Sequence, residues 1–528
     1  MNKCVLYSAV LFLACTKGSV KIASSSSQSP SSNRAVVSLA SEYQTIHSFG
    51  ASDCWSAKFV GNWADEARKN QIADLLFSLD TLPTGQPKGI GLSLWRMNIG
   101  AGSFEQGDSS NIGDEWRREE CFLKPDGQYD WSKQAGNQWF LNAARRRGVR
   151  YTLGFTNSPP VQMTVNGKAF SSGGSALNLK PNRVADFADF LVRVSDQFKF
   201  TYVSPFNEPQ WDWKAGNNGK AGQEGTPARN TDIVSVVKVL SDKLDAAGSK
   251  TTVVAGEAGQ LDYLYEKAES GRGNQVEQLF GKSGPSLAGL PKVEQIVAYH
   301  SYFSTCDDAK LVRMRQSASK AARSVSGLSL WQSEFGVLGD VCGKVNGYPR
   351  STGIDYGLYV AKVIHNDLAV ANATSWQWWL AINPYNYSDG LVYINGPDGQ
   401  YKDHRNARES GQVVDSKQLW AFGNFARFVR PGMKRIDVAL KSNADPVAQA
   451  GNLMLSGYKE ERTKTVVLIA INTTDQSIAL PLSGVTLRKN QLTTYTTSQD
   501  RNLAKATVLA SRVQLPPKSV TTLVGQYN

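Results

Sequence analysis

Between residues 46 and 380, short runs of apolar and β-branched residues alternate with longer segments whose apolar positions recur every three to four residues. The short runs fall at 46–52, 92–99, 150–156, 201–205, 251–256, 296–302, 329–334 and 373–380. The periodic segments include 65–78, 137–147, 183–198, 231–247 and 354–366, the last preceded by Ser351, Thr352 and Gly353 as its N-cap region. Eight strands with intervening helices over this length predict an α/β fold, a (β/α)8 (TIM) barrel with enlarged loops. No G-x-G-x-x-G follows the first run, which speaks against a dinucleotide-binding sheet.

The texture changes after about residue 432. "KTVVLIAIN", "SIALPLSG", "NQLTTYTTS" and "KSVTTLVGQY" are short strands separated by Gly, Pro, Asn and Asp, the pattern of a β-sandwich. The run "AVVSLA" at 35–40 precedes the first barrel strand and is expected to complete that side domain. The expected layout is therefore an N-terminal strand at 35–45, a barrel at 46–431 and a sandwich at 432–528.

The start of the chain, "MNKCVLYSAVLFLAC", has one lysine and then an apolar stretch too short to span a bilayer, as in a secretory signal. Leu13-Ala14-Cys15 resembles a lipobox, so residues 1–15 read as a lipoprotein-type signal ending at Cys15 and 16–34 as a Ser-rich tether. An ordinary cleaved signal is the alternative. Both imply export, either as a periplasmic or outer-membrane-associated lipoprotein or by secretion, with membrane attachment only through a lipid at Cys15.

The formal charge of +12 is spread along the chain, without a cluster of the kind that grips nucleic-acid phosphates. The densest run, Arg145-Arg146-Arg147, precedes Gly148 and reads as a helix C-terminus. Four cysteines follow the signal, and Cys306 with Cys342 is the pair to test first as a disulfide. Their spacing matches no zinc pattern, and the four histidines are scattered, so neither metal nor cofactor is expected.

Chemistry in such a barrel sits at the C-terminal ends of the strands. Glu208 ends the fourth in "SPFNEPQWDW", and Glu334 ends the seventh in "LSLWQSEFG". Glycosidic-bond hydrolysis needs one carboxyl group to protonate the leaving oxygen and a second at the anomeric carbon. Asn207 is placed to bind a sugar hydroxyl, Pro209 restrains the chain beside the acid, and Trp211 and Trp213 offer flat faces for pyranose C–H groups. Arg96, in mid-strand, needs a carboxylate partner, for which Glu334 is the candidate. His300 can orient Glu334 or a hydroxyl; its alternative is a satisfied core histidine. Asp53 and Asn98 are candidate hydroxyl-binding groups. Trp55, Trp95, Trp376, Trp378 and Trp379 are sugar platforms or barrel packing. Glu257, in "AGEAG", is a strand-end carboxylate without an assigned role. No G-x-S-x-G occurs to support serine-hydrolase chemistry.

The ordered set "FGASDCW", "LSLWRMNIGAG", "SPFNEPQWDW", "AYHSYF", "WQSEFG" and "WQWWLAI", with "LWAFGNFARFVRPGMKRI" and "LPPKSVTTLVG", resembles glycoside hydrolase family 30 of clan A over nearly all of the mature chain. The resemblance implies a barrel fused to a β-sandwich, Glu208 as general acid/base and Glu334 as nucleophile. It also implies a retaining mechanism with Glu208 protonated and Glu334 ionised at rest. Asn207, Arg96, His300, Tyr302, Asp53, Trp55, Asn98, Trp211, Trp376 and Trp378 are the expected substrate-binding residues. Three segments look most like the endo-β-1,6-galactanase branch, acting on arabinogalactan side chains. A β-1,6-glucanase or a glucuronoxylan or xylan hydrolase is the alternative within the family, and a carbohydrate-binding protein without turnover the alternative outside it.

Overall fold

The computed structural model describes residues 33–528 apart from 175, 267–270, 340–341 and 442–444. The signal segment with Cys15, and most of the Ser-rich tether, lie outside the described residues. Among the described residues, no helix is long and apolar enough to cross a membrane.

Strand β1 (Ala35–Thr45) enters first, and then eight strands close a parallel barrel. These are β2 (Ser48–Ser52), β3 (Leu94–Asn98), β4 (Tyr151–Phe155), β5 (Tyr202–Ser204), β6 (Thr252–Ala258), β7 (Val293–His300), β8 (Ser329–Glu334) and β9 (Ser375–Asn383). Each pairs in parallel with the next, and the first half of β9 closes the ring against both β8 and β2. Its second half pairs instead with β10 (Gly390–Asn395), which carries β11 (Gln412–Val414) antiparallel on its outer edge. The enlarged loop after the eighth barrel strand therefore has its own sheet extension.

The helices start where the sequence has capping chemistry. Glu66–Phe77 begins after Asp65, whose carboxylate accepts from the Arg68 amide, and Lys417–Ala426 begins after Ser416, which accepts from the Leu419 amide. Because the barrel strands are covered on both faces, they alternate between two apolar layers. Trp55, Leu94, Phe155, Trp331 and Trp379 belong to the layer inside the barrel. Trp376 and Trp378 point the other way, against Phe335 and Phe422. Withdrawing indoles of that size from water stabilises by about 4–6 kcal/mol each.

The side domain is a curled eight-stranded sheet in which β1 is flanked by Leu482–Ser483 and β12 (Lys434–Leu440). β13 (Leu453–Glu460) and β14 (Thr465–Asn472) continue it, followed by Ser519–Gln526, Gln491–Ser498 and Arg501–Leu509. Between Thr465 and Asn472 the run "VVLIAI" is apolar at every step because both faces are buried. Val466, Leu468 and Ala470 join the sheet's own core, while Val467, Ile469 and Ile471 join the layer shared with the barrel helices. The register Ala35↔Leu440 ties the start of the described chain to its C-terminal portion.

Candidate active site

Five ionisable side chains, one from within β3 and four from the ends of β5, β6, β7 and β8, meet at the mouth of the barrel. Arg96 projects inward from β3, with its guanidinium 3.7 Å above the Phe155 ring. It donates to Glu334 Oε2 at 2.6 Å, to Asn207 Oδ1 at 2.8 Å and to Glu257 Oε2 at 3.4 Å. His300, at the end of β7, places Nδ1 2.8 Å from Glu208 Oε1 and Nε2 3.0 Å from Glu257 Oε2. Tyr302 donates its hydroxyl to Glu334 Oε1 at 3.2 Å, and Ser333 donates to Glu257 Oε2 at 2.6 Å.

The local backbone is bent to bring these groups together. Glu208 and Glu257 both have left-handed backbones, with φ of 45° and 49°. That conformation is costly for a residue with a Cβ, and it persists only where the surroundings hold it. One restraint is the hydrogen bond from the Glu208 amide to the Glu257 carbonyl at 3.0 Å, which locks the ends of adjacent strands together. Another is the Trp213 indole, which donates to the Glu208 carbonyl at 2.9 Å.

Electrostatics divide the carboxyl groups. Burial opposes ionisation of Glu257, but Arg96, His300 and Ser333 overcome it and hold its pKa at about 2, a fixed anion. Burial also opposes the charge on His300, yet Glu334, Glu208 and Glu257 outweigh it and raise its pKa to about 10. His300 is thus an imidazolium that donates from both nitrogens. Burial raises Glu334, with Glu208 adding to the rise while His300 and Arg96 pull it down.

Above these groups opens a cavity of about 440 Å³, with Asn207, Glu208, Tyr302 and Glu334 at its polar end and Trp211, Trp213 and Trp379 among its aromatic walls. Glycines let two of the indoles approach the backbone. A Cβ at Gly225 would lie 2.4 Å from the Trp213 ring, and one at Gly259 would lie 2.6 Å from Trp211 Nε1. Cys306 and Cys342 form a disulfide with their Cα atoms 5.4 Å apart. It joins the loops after β7 and β8, and both half-cystines line the cavity.

Several residues expected to touch substrate lie elsewhere. Trp376 and Trp378 face outward and are fully buried, their indoles donating to Asp367 Oδ2 at 2.9 Å and the Asp389 carbonyl at 2.7 Å. Trp379, one step along the strand, takes the inward position. Asp53 accepts from the Asn98 amide and from Asn137 Nδ2, each at 2.9 Å, and so ties β2 to β3 and to the helix Ala135–Arg146. Asn98 accepts in turn from Asn157 Nδ2 at 3.2 Å, away from the cavity. Trp55 is buried beneath Trp379, with ring centroids 5.8 Å apart. Arg96 and His300 are fully buried as well and act on the carboxylates instead of lining the cavity. His300 hydrogen-bonds Glu208 and Glu257, while Glu334 stands 3.6 Å away. Glu257 proves to be the common anchor of both cations. Its place at a strand end was visible in the sequence, but its partners, from β3, β7 and β8, were not.

The same shifts govern stability above pH 6.5. The raised pKa of His300 contributes stability that is complete below about 6.5 and is lost as pH rises toward 10. Burial lifts Glu119 to about 7 and Glu224 to about 8, so the folded chain retains protons that the unfolded chain has already released. All three terms run in one direction. The melting temperature is expected to fall from pH 6.5 to 8.5, with a shallower fall in Glu224→Gln, as differential scanning calorimetry at fixed ionic strength will test.

A (β/α)8 barrel carrying two glutamates, a buried arginine and an imidazolium beneath an aromatic-walled cavity defines a glycoside hydrolase of the barrel class. The O-glycosyl hydrolase family 30 model matches residues 32–393, and the chain belongs to that family. A conserved exported protein from Bacteroides fragilis is 33% identical, with a TM-score of 0.87 over 93% of this chain and 100% of that one. The endo-β-1,6-glucanase BT3312 shares the fold at 17% identity, with a TM-score of 0.62 over 95% of this chain and 96% of its own. Glucuronoxylanase XynC of Bacillus subtilis (strain 168) is 26% identical over 204 residues, 38% of this chain. The match spans only 40% of that relative's length.

Proposed function

We propose that the chain is an exported, retaining endo-β-1,6-galactanase acting on the side chains of arabinogalactan. The observation that carries the mechanism is the approach of the two catalytic carboxyl groups: ligand oxygens of Glu208 and Glu334 lie within 4.8 Å of each other. Retaining glycosidases hold their carboxyl groups about 5–5.5 Å apart, whereas inverting enzymes leave about 6.5–9.5 Å for a water molecule.

Glu334 attacks the anomeric carbon while Glu208 passes its proton to the leaving oxygen, forming a glycosyl ester. Glu208 then takes a proton from water, which attacks the same carbon and releases Glu334. Three carboxyl groups and two cations form the cluster, so it is neutral with one proton on the Glu208–Glu334 pair, the stoichiometry that this cycle needs. Arg96 and Tyr302 hold Glu334 in position, and His300 holds Glu208 on the Glu257 anchor.

Galactan as the polymer is supported by the likeness of the segments around Trp55, Arg96 and Glu208 to the galactanase branch, and export by the exported relative together with the signal-like start. Product analysis on β-1,6-galactan, β-1,6-glucan and glucuronoxylan tests the assignment, with a ladder of galactose oligomers as the expected result. Turnover of glucan or glucuronoxylan alone would assign the chain to a different substrate in its family. Binding without turnover of any of the three would make it a carbohydrate-binding protein.

A further inference from the structure

A second cavity, of about 330 Å³, lies where β1, β12 and β13 meet the C-terminal ends of the helices Asp308–Arg323 and Ile354–Ala369. These helix ends lead into β8 and β9, which places the cavity toward the face of the barrel opposite the catalytic mouth. Its walls include Tyr43, Arg323, His365, Arg435, Asp437 and Ser456.

Arg435 is the unusual member. Five arginines are buried among the described residues. Arg96, Arg118, Arg272 and Arg315 each contact a carboxylate. Arg435 contacts none. It donates from Nε to Gln44 Oε1 at 2.9 Å and from Nη2 to Asn372 Oδ1 at 2.7 Å, and its guanidinium lies 3.8 Å from the Tyr43 ring centroid. An arginine that is 8% exposed, hydrogen-bonded only to neutral amides and offset by Asp437 only from beyond contact distance, is left with room for an anion. Arg323 stands on the same cavity with Ser319 Oγ, 2.8 Å away, as its hydrogen-bond partner and likewise without a carboxylate. Cations are commonly drawn to helix C-termini, yet neither guanidinium donates to a backbone carbonyl there.

The remaining groups point to a ligand with hydroxyls as well as a charge. His365 Nδ1 is buried without a hydrogen-bond partner among the described residues, and Ser456 Oγ stands beside the Tyr458 hydroxyl. Asp437 accepts from the Tyr43 hydroxyl at 3.2 Å and repels a small multivalent anion, but it can accept from a sugar hydroxyl. Tyr43 is 47% exposed, leaving ring surface for a pyranose face. Two planar cations for a carboxylate, acceptors and donors for hydroxyls, and an exposed ring together match a uronic acid residue.

We propose that this cavity is a non-catalytic binding site for a uronic acid residue of a glycan, holding an acidic polysaccharide on the side of the enzyme away from the cleft. The inference stands whichever neutral linkage the catalytic cavity cleaves.

Calorimetric titration of the purified chain with methyl β-D-glucuronide, methyl β-D-galactoside, acetate and inorganic phosphate tests it. Binding of the glucuronide alone is expected, weakened at least tenfold in Arg323→Gln, abolished in Arg435→Gln and unchanged in Trp379→Ala, whose substitution lies in the catalytic cavity. Arg323→Gln, at an exposed position, is expected to retain the wild-type melting temperature and wild-type kcat/KM on a short neutral substrate. That variant keeps the test decisive if Arg435→Gln folds poorly. The assignment is overturned if the wild type does not bind the glucuronide, if acetate or phosphate binds as well, if Arg323→Gln binds like wild type, or if Trp379→Ala abolishes binding.

Discussion

Glu334→Gln is expected to lower kcat on the preferred polymer by about 10⁴-fold or more, in line with the removal of a group on which covalent catalysis depends. The amide keeps the volume, and its one oxygen can still accept from Arg96, which now donates to Glu334 Oε2 at 2.6 Å, while its NH2 can donate to the Tyr302 hydroxyl oxygen in place of the 3.2 Å bond that Glu334 Oε1 now accepts, so the fold should survive. What it lacks is nucleophilicity toward the anomeric carbon. Glu208→Gln is expected to behave differently, because its loss matters in proportion to how much the leaving group needs a proton. On a substrate with an acidic phenol as leaving group, Glu208→Gln should retain its glycosylation rate and become limited by release of the ester. Pre-steady-state measurement of phenol release distinguishes the two, with a burst in Glu208→Gln and none in Glu334→Gln. Full activity of Glu334→Gln would end the mechanism proposed for this site.

Arg96→Met is expected to cost both stability and activity. Arg96 is completely buried and joins Glu334, Asn207 and Glu257, which come from three different strand ends. Removing one member of a buried ion pair typically costs about 3–5 kcal/mol, since the partner is left charged and unsolvated. The remaining carboxylates would relieve that cost by taking up protons, and a protonated Glu334 is not a nucleophile. The expected result is a depressed melting temperature that partly recovers at lower pH, together with a kcat reduced at every pH tested. Arg96→Lys should not rescue it. A lysine ammonium cannot span the separate directions of Glu334 and Asn207 as the planar guanidinium does. Equal melting temperatures for wild type and Arg96→Met would show that the arginine is not the keystone of the cluster.

The barrel was legible because its strands are covered on both faces, which makes short apolar runs stand out between longer periodic segments. All eight runs became barrel strands, and the 35–40 run became part of β1 in the side sheet. Glu208 and Glu334 were also legible, since a carboxylate that interrupts such a run at its C-terminal end stands out. The tryptophans of "WQWWL" were harder. Alternation correctly placed Trp376 and Trp378 on one face and Trp379 on the other, but a strand enclosed on both sides has no polar face to identify the cavity side. The expected platforms Trp376 and Trp378 therefore lie on the outer face, and Trp379 is the indole on the cavity.

The amino-acid sequence by itself determined the alternation of strands and helices, the position of each carboxylate at its strand end, and the family to which the chain belongs. These depend on local spacing and residue type, which are carried in one dimension. Only the tertiary structure decided that Glu257 anchors both Arg96 and His300, that Asp53 and Asn98 brace the barrel instead of the substrate, and that Arg435 is buried without an ion-pair contact. Each of those depends on the distance between residues tens to hundreds of positions apart, and in a closed barrel that distance is set by which strand ends converge.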